Sequence, residues 1–193
     1  MIPGGPHFVR NYSVQILEST YRMNTQLADA LSQWDGRTTR VMADLYATQH
    51  SAPDFLDTLV GCCADDRSQR GATWVLKHFF ERATLELTPA QQDGFFAAWA
   101  DLVDSDAQLH VMQSLQFVKV PEGHVDAVHD YLTARLASPR KLLRAWAYWG
   151  LAQLAHDHAG LRDATRLTLA DAFERETAGA VRVRIRRGLV LLG

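Results

Sequence analysis

Apolar residues recur along this chain with two nested periods. Within a segment they fall three and four positions apart, and the same pattern returns one segment later. Leu76, Leu115, Leu151 and Leu189 mark the register, at successive spacings of 39, 36 and 38 residues. Four positions before each leucine stand Ala72, Val111, Ala147 and Ile185; three after it stand Phe79, Val118, Leu154 and Leu192. The position just before is small or slender in every case: Val75, Ser114, Gly150 and Gly188. Offsets of −4, 0 and +3 share one helical face, so each segment is predicted to be a helix with the same buried stripe. A repeat in the high thirties built from helix pairs is the pattern of an α-solenoid.

The partner helices fall between these segments, and several have readable starts. Asp54 is placed to cap DFLDTLVGCC. Thr88–Pro89 is a cap followed by proline at the first helical position, leading into QQDGFFAAWADLV. Pro121 opens EGHVDAVHDYLTARLA, and Asp157–His158 precedes AGLRDATRLTLADAFERE. Upstream, residues 13–34 read as one long helix with Val14, Leu17, Tyr21, Leu27, Leu31 and Trp34 as its apolar positions. Asp35–Gly36 breaks it, and 37–49 forms its partner around Val41 and Leu45. No segment reads as a strand. The predicted fold is all-α: a right-handed α-solenoid of about five antiparallel helical hairpins in a single domain. Residues 1–53 form an N-terminal capping hairpin behind a flexible start, and the repeats follow at 54–83, 89–119, 121–156 and 159–193.

The second helix of each pair resembles the second helix of HEAT-like repeats, the armadillo-type α-solenoids. In that family an acidic residue in the tight turn precedes an apolar–Arg step that opens the helix. Leu143–Arg144 and Val181–Arg182 match the step, and Asp65, Asp66 and Asp104 lie in the corresponding turns. Ser138–Pro139 occupies the turn before Arg144, and Gln69 and Gln108 stand where the earlier units would carry the arginine. The resemblance covers roughly residues 54–192. It implies a fold and leaves function to be argued from the residues.

In such a stack, part of every second helix faces a concave surface. Offset −2 lies about 150° from the core stripe at 100° per residue. There stand Trp74, Gln113, Trp149 and Arg187, with Arg70, Lys77 and Gln116 on the same arc. Rigid aromatics and arginine dominate binding hot spots, and glutamine hydrogen-bonds peptide backbones. Two readings compete: the indoles line a groove that holds a protein or peptide, or they fill gaps beside Gly71, Ser114 and Gly150. Trp146 and Tyr148 are expected to flank the core.

The last helix, AVRVRIRRGLVLL, carries Arg182, Arg184, Arg186 and Arg187. Two readings are open: the arginines meet a phosphate or acidic partner, or, as the leading expectation, one satisfies its own turn as in other HEAT-like repeats and the rest are solvated. Val183, Val190 and Leu191 lie off the core stripe with no further repeat to cover them, which suggests a homodimer or a docked partner there.

Charge sharpens this picture slightly. Residues 1–119 hold 9 Lys/Arg against 14 Asp/Glu, and residues 120–193 hold 11 against 8, so one end is about −5 and the other about +3. That polarity would orient a partner but is too mild to imply nucleic acid. Arginine outnumbers lysine 17 to 3, a bias of bacterial character. No run of apolar residues is long enough for a membrane span, and MIPGGPHFVR is too short in apolar length for a secretory signal, so cytoplasm is the expected location. Cys62 and Cys63 are adjacent and read as small apolar fillers.

Candidate chemistry is sparse. His156-x-His158 and the pair His124 and His129 lack any zinc-ligand pattern, and His78 and His110 read as helix-flank residues. Carboxylates such as Asp65–Asp66 and Asp104–Asp106 sit in turns, where capping explains them. No nucleophile elbow or phosphate-binding loop is present, so no catalytic residue, metal or cofactor is assigned. DNA glycosylases that remove alkylated bases resemble short HEAT-like solenoids with Trp, Asp and Arg on the concave face. This sequence would supply Trp74, Trp149 and Arg187 but no inward carboxylate on the second helices between 66 and 155. A non-enzymatic protein-binding scaffold is therefore the leading expectation, a DNA-binding or glycosylase-like enzyme the alternative, and a structural homo-oligomer a third.

Overall fold

The apolar register becomes helix in every unit except past Ser114, where Leu115 and Val118 fall beyond the end of a helix. The computed structural model describes residues 25–82 and 86–193, and these are all-helical, with no strand among them. The elements are α1 (helical over 25–32), α2 (Thr39–Gln49), α3 (Phe55–Cys62), α4 (Gln69–Arg82), α5 (Pro89–Ala97), α6 (Ser105–Ser114), α7 (Val125–Arg135), α8 (Lys141–Asp157), α9 (Arg162–Arg175) and α10 (Gly179–Leu192). Short 3₁₀ turns at Ala98–Asp101, Glu122–His124 and Ala159–Leu161 join or precede them.

Packing follows two directions. Sequential partners touch in three pairs, α3 with α4, α7 with α8 and α9 with α10, whereas in the predicted hairpin at 89–119 α5 packs chiefly on α3 and α6 on α4 and α8. The even helices then contact one another in series, α2 to α4, α4 to α6, α6 to α8 and α8 to α10. The stripe positions supply the apolar contact. Ala72, Leu76, Ala147 and Ile185 are sealed from solvent, and Val111, Leu151, Leu154, Phe79, Leu115 and Leu192 nearly so. Leu189, expected on the buried stripe, is only half-buried. The slender positions let neighbours approach: a Cβ on Gly150 would lie 2.8 Å from a Leu132 methyl, and one on Gly188 2.6 Å from Leu169.

A polar repeat runs beside the apolar one. Seven positions before the register leucine, Gln108 donates to the Leu102 carbonyl (2.7 Å), Arg144 to that of Ser138 (2.7 Å) and Arg182 to that of Glu176 (2.9 Å). Each bond reaches six residues back to close the preceding turn. In the first unit Ser68 Oγ does this to Cys62 (2.9 Å), freeing Gln69 to accept from the backbone N–H groups of Val103 and Asp104, both at 2.8 Å.

Several sequence expectations need correction. Val41 is 53% exposed and its neighbour Met42 is fully buried, so the apolar face of α2 is turned by one residue. Asp54 occupies the N-cap position of α3 without a capping hydrogen bond. Helix α6 stops at Ser114, leaving Leu115 and Val118 in the turn that follows. Val14, Leu17 and Tyr21 lie outside the described residues, while Leu27 and Leu31 are buried as expected. Gly36 ends the first hairpin's leading arm with a φ of +80°, a conformation glycine adopts without Cβ strain. Thr88 closes a capping box with Gln91 ahead of Pro89.

Candidate functional site

Position −2 of each second helix places Trp74, Gln113, Trp149 and Arg187 one per helix on α4, α6, α8 and α10, which touch in series. The first three are half-buried and Arg187 is exposed. Trp74 sits in an aromatic cluster, stacked on His78 at 4.8 Å between centroids and meeting the edge of Trp34 at 5.8 Å. Lys77 lies 5.9 Å from the Trp74 ring and is ion-paired to Glu81 at 2.9 Å, so its charge is answered locally. Gln116 is exposed in the turn after α6 and donates to the Gln113 carbonyl (3.2 Å). Arg70 belongs to the turn side: it pairs with Asp104 of the next unit at 3.0 Å through Nε.

Leucines make the closest approach to the two glycines beside the indoles. Backbone of Leu31 closes on Gly71, where an added Cβ would meet its carbonyl oxygen at 2.7 Å, and Leu132 with Leu115 closes on Gly150. Trp149 packs against the edge of the core with its Nε1–H buried and lacking an acceptor among the described residues.

Four residues read from the sequence as flanking or solvated, Trp146, Arg184, His110 and His78, are more deeply engaged than that. Trp146 is buried, and the Arg184 guanidinium lies 3.8 Å from its ring centroid and 6.0 Å from that of Trp149. His110 is also buried, not a solvated flank residue, and so is His78. Thr73 Oγ1 donates to the Gln69 carbonyl (2.7 Å), so the His110 Nδ1 contact at 3.2 Å requires the imidazole to donate to Thr73. Burial first, then nearby Lys77, pushes the His110 pKa down to about 4. Gly71, His110, Trp146 and Arg184 all stand five positions before a register leucine, a shared register that the sequence does show.

The terminal flank is exposed as expected at Val183 (45%) and Val190 (77%), whereas Leu191 is half-buried against α8–α10. The other histidines among the described residues also have partners: His50 the Tyr46 carbonyl (3.0 Å), His124 Asp93 (3.0 Å), His129 Asp130 (3.6 Å), His156 Asp157 (3.0 Å), and His158 the Val120 carbonyl and Glu122. Cys62 and Cys63 are buried free thiols whose pKa values burial raises, which suppresses the reactive thiolate. A cleft of about 210 Å³ lies among α7, α8 and α9, lined by His129, Thr133, Thr165 and Thr168, away from the −2 row. Among the described residues no helix is long and apolar enough to cross a membrane.

No protein-family model, curated protein or solved structure matches this chain at a significant level.

Proposed function

We propose that residues 54–192 form a short right-handed HEAT-like solenoid that acts in the cytoplasm as a non-enzymatic scaffold, holding a segment of another protein on its concave face. Two features support the architecture: the serial contact of α4, α6, α8 and α10, and the recurring side-chain bond from position −7 to the turn six residues back. A repeat expressed in both apolar and polar contacts is what a stack of equivalent hairpins produces.

The binding role rests on one observation. Four alternate helices, α4, α6, α8 and α10, carry Trp74, Gln113, Trp149 and Arg187 in the same register, none of them fully withdrawn from solvent. A half-exposed indole beside arginine combines apolar area with hydrogen-bonding capacity at low entropy cost. Panning a random displayed-peptide library on the folded protein tests it. Peptides enriched on the wild type should lose binding to Trp149→Phe and to a Gln113→Ala/Arg187→Ala variant, both retaining the wild-type circular dichroism. Equal binding to all three proteins would place the site elsewhere.

Self-association through α10 is a second reading, favoured by the exposure of Val183, Val190 and, on α9, Leu167. Light scattering across protein concentrations decides it.

A further inference from the structure

Among the described residues, several cations on or beside the second helices are answered by carboxylates. Arg70 pairs with Asp104, Lys77 with Glu81, Arg140 with Asp106, and Arg144 with Glu176. The pattern stops at α10. Among the described residues, Arg184, Arg186 and Arg187 have no carboxylate within ion-pair distance and make no hydrogen bond. Arg184 is the informative one. It is half-buried, and its guanidinium is held against the face of Trp146 at 3.8 Å and near Trp149 at 6.0 Å. Stacking on a ring uses the flat face of a guanidinium and leaves the N–H groups at its edge free to donate. Arg187, one turn away and exposed, adds a second cation close enough to act on the first. Burial, then the proximity of Arg187, lowers the Arg184 pKa, so the repulsion between the two is not relieved within the chain. Among the described residues the buried Trp149 Nε1–H is also without an acceptor.

We infer that the α8–α10 end of the concave face, formed by Trp146, Trp149, Arg184 and Arg187, binds carboxylate side chains of an acidic segment in a partner protein. This rests on the scaffold reading above and specifies its partner. Carboxylates supply what the patch lacks: planar acceptors matched to the edge of a guanidinium, and negative charge between two unpaired arginines. The indoles favour a segment in which acidic residues alternate with apolar ones, since their ring surface needs apolar contact. Charge complementarity selects this occupant over a second copy of α10, which would bring further unpaired arginines to the same place.

Fluorescence anisotropy on the intact protein tests the inference with four probes: a labelled Glu/Leu peptide, its Gln/Leu and Lys/Leu analogues, and a labelled single-stranded oligonucleotide. The Glu/Leu peptide should bind best, weakening as salt rises from about 50 to about 500 mM. Arg184→Gln and Arg187→Gln should each weaken it about tenfold or more, the size expected for losing a hydrogen bond to a charged group. An exposed Arg166→Gln control should leave it unchanged. Circular dichroism and melting of Arg187→Gln, whose side chain is solvent-exposed, should match the wild type and separate lost binding from lost fold. Four outcomes overturn the inference: equal binding of the Gln/Leu analogue, preference for the Lys/Leu analogue, arginine-dependent binding of the oligonucleotide alone, or Arg184-dependent self-association in light scattering without peptide binding. If neutral or basic peptides bind in a Trp149-dependent way, the groove stands and only its acidic specificity falls. If no peptide binds here or in the panning experiment, both readings fall.

Discussion

Acid should weaken this protein in a window set by His110. The imidazole is buried between α4 and α6, donates through Nδ1 to Thr73, and has its pKa lowered from 6.5 to about 4 by burial and by Lys77. Asp104 and Asp106 act in the opposite direction and do not reverse the shift. Above pH 6.5 the ring is neutral in both folded and unfolded chains, and its titration contributes nothing to the balance. Between the two pKa values the unfolded chain takes up a proton that the folded chain does not. Stability therefore falls as pH drops through this window and levels off below about 4. The shift corresponds to roughly 3 kcal/mol, a large share of the stability of a domain this size. His78, lowered by burial and then by Arg82, adds a loss of the same sign. Glu176 is held low chiefly by its hydrogen bond from Arg144, and its loss comes only below the usual carboxylate range. Urea unfolding at intervals from about pH 7.5 to about pH 4.5 measures the effect, compared with His110→Gln, whose amide can still donate to Thr73. The wild type should lose roughly 2–3 kcal/mol more than the variant across that range. Parallel profiles for the two proteins would show that His110 titrates normally and is solvated, and the packing of α4 on α6 described above would be wrong.

Two further outcomes probe how the hairpins are held together. Gly71→Ala should destabilise by about 1–3 kcal/mol in urea unfolding, because the new Cβ would meet the Leu31 carbonyl oxygen at 2.7 Å and its Cα at 3.0 Å, both backbone atoms that cannot swing aside. Gly61→Ala on α3 is the control: nothing lies within 4 Å of its Cβ, and the change should be neutral or stabilise by up to about 1 kcal/mol. In a double-mutant cycle, Arg144→Met and Glu176→Gln should couple by about 1–2 kcal/mol, reflecting contacts of 3.1 and 3.3 Å across the last two hairpins; additive effects would mean that the pair does not join them.

The sequence carried the apolar stripe because burial imposes its own spacing. Ala72, Val111, Ala147 and Ile185 could be aligned by number alone, and each is sealed or nearly sealed. Local starts such as Thr88–Pro89 were equally legible, since a cap is a contact between residues three apart. What escaped was decided by contacts between units. Arg70 lies on the predicted inward arc, yet Asp104, thirty-four residues away, draws it to the turn. Arg184 looked like one arginine among several until the distance to Trp146 gave it a platform. Met42 displaced Val41 because two adjacent apolar residues leave a helix's rotation open, and tertiary packing chooses. Lys77 is a milder case: Glu81 four residues on already foretold its partner.

These inter-unit contacts also bear on how a binding row can be kept in register. Apolar faces alone allow helices to slide, since one leucine against another sets no fixed position. Here both edges of the stack are pinned by directional bonds. On the turn edge, Gln69 holds the Val103 and Asp104 amides, Arg140 holds Asp106, and Arg144 holds Glu176. On the opposite edge, Gln91 reaches Asp57, His124 reaches Asp93, and His158 reaches the Val120 carbonyl. Each bond joins one hairpin to the next, so rotation or slippage at any step would break a polar contact as well as shear an apolar one. The spacing between Trp74, Gln113, Trp149 and Arg187 is therefore fixed by hydrogen bonds at the margins as well as by the packed helices that carry them. Each bond at the margins is individually removable by mutation without touching the row, so the scaffold proposed above can be tested for register separately from its binding residues.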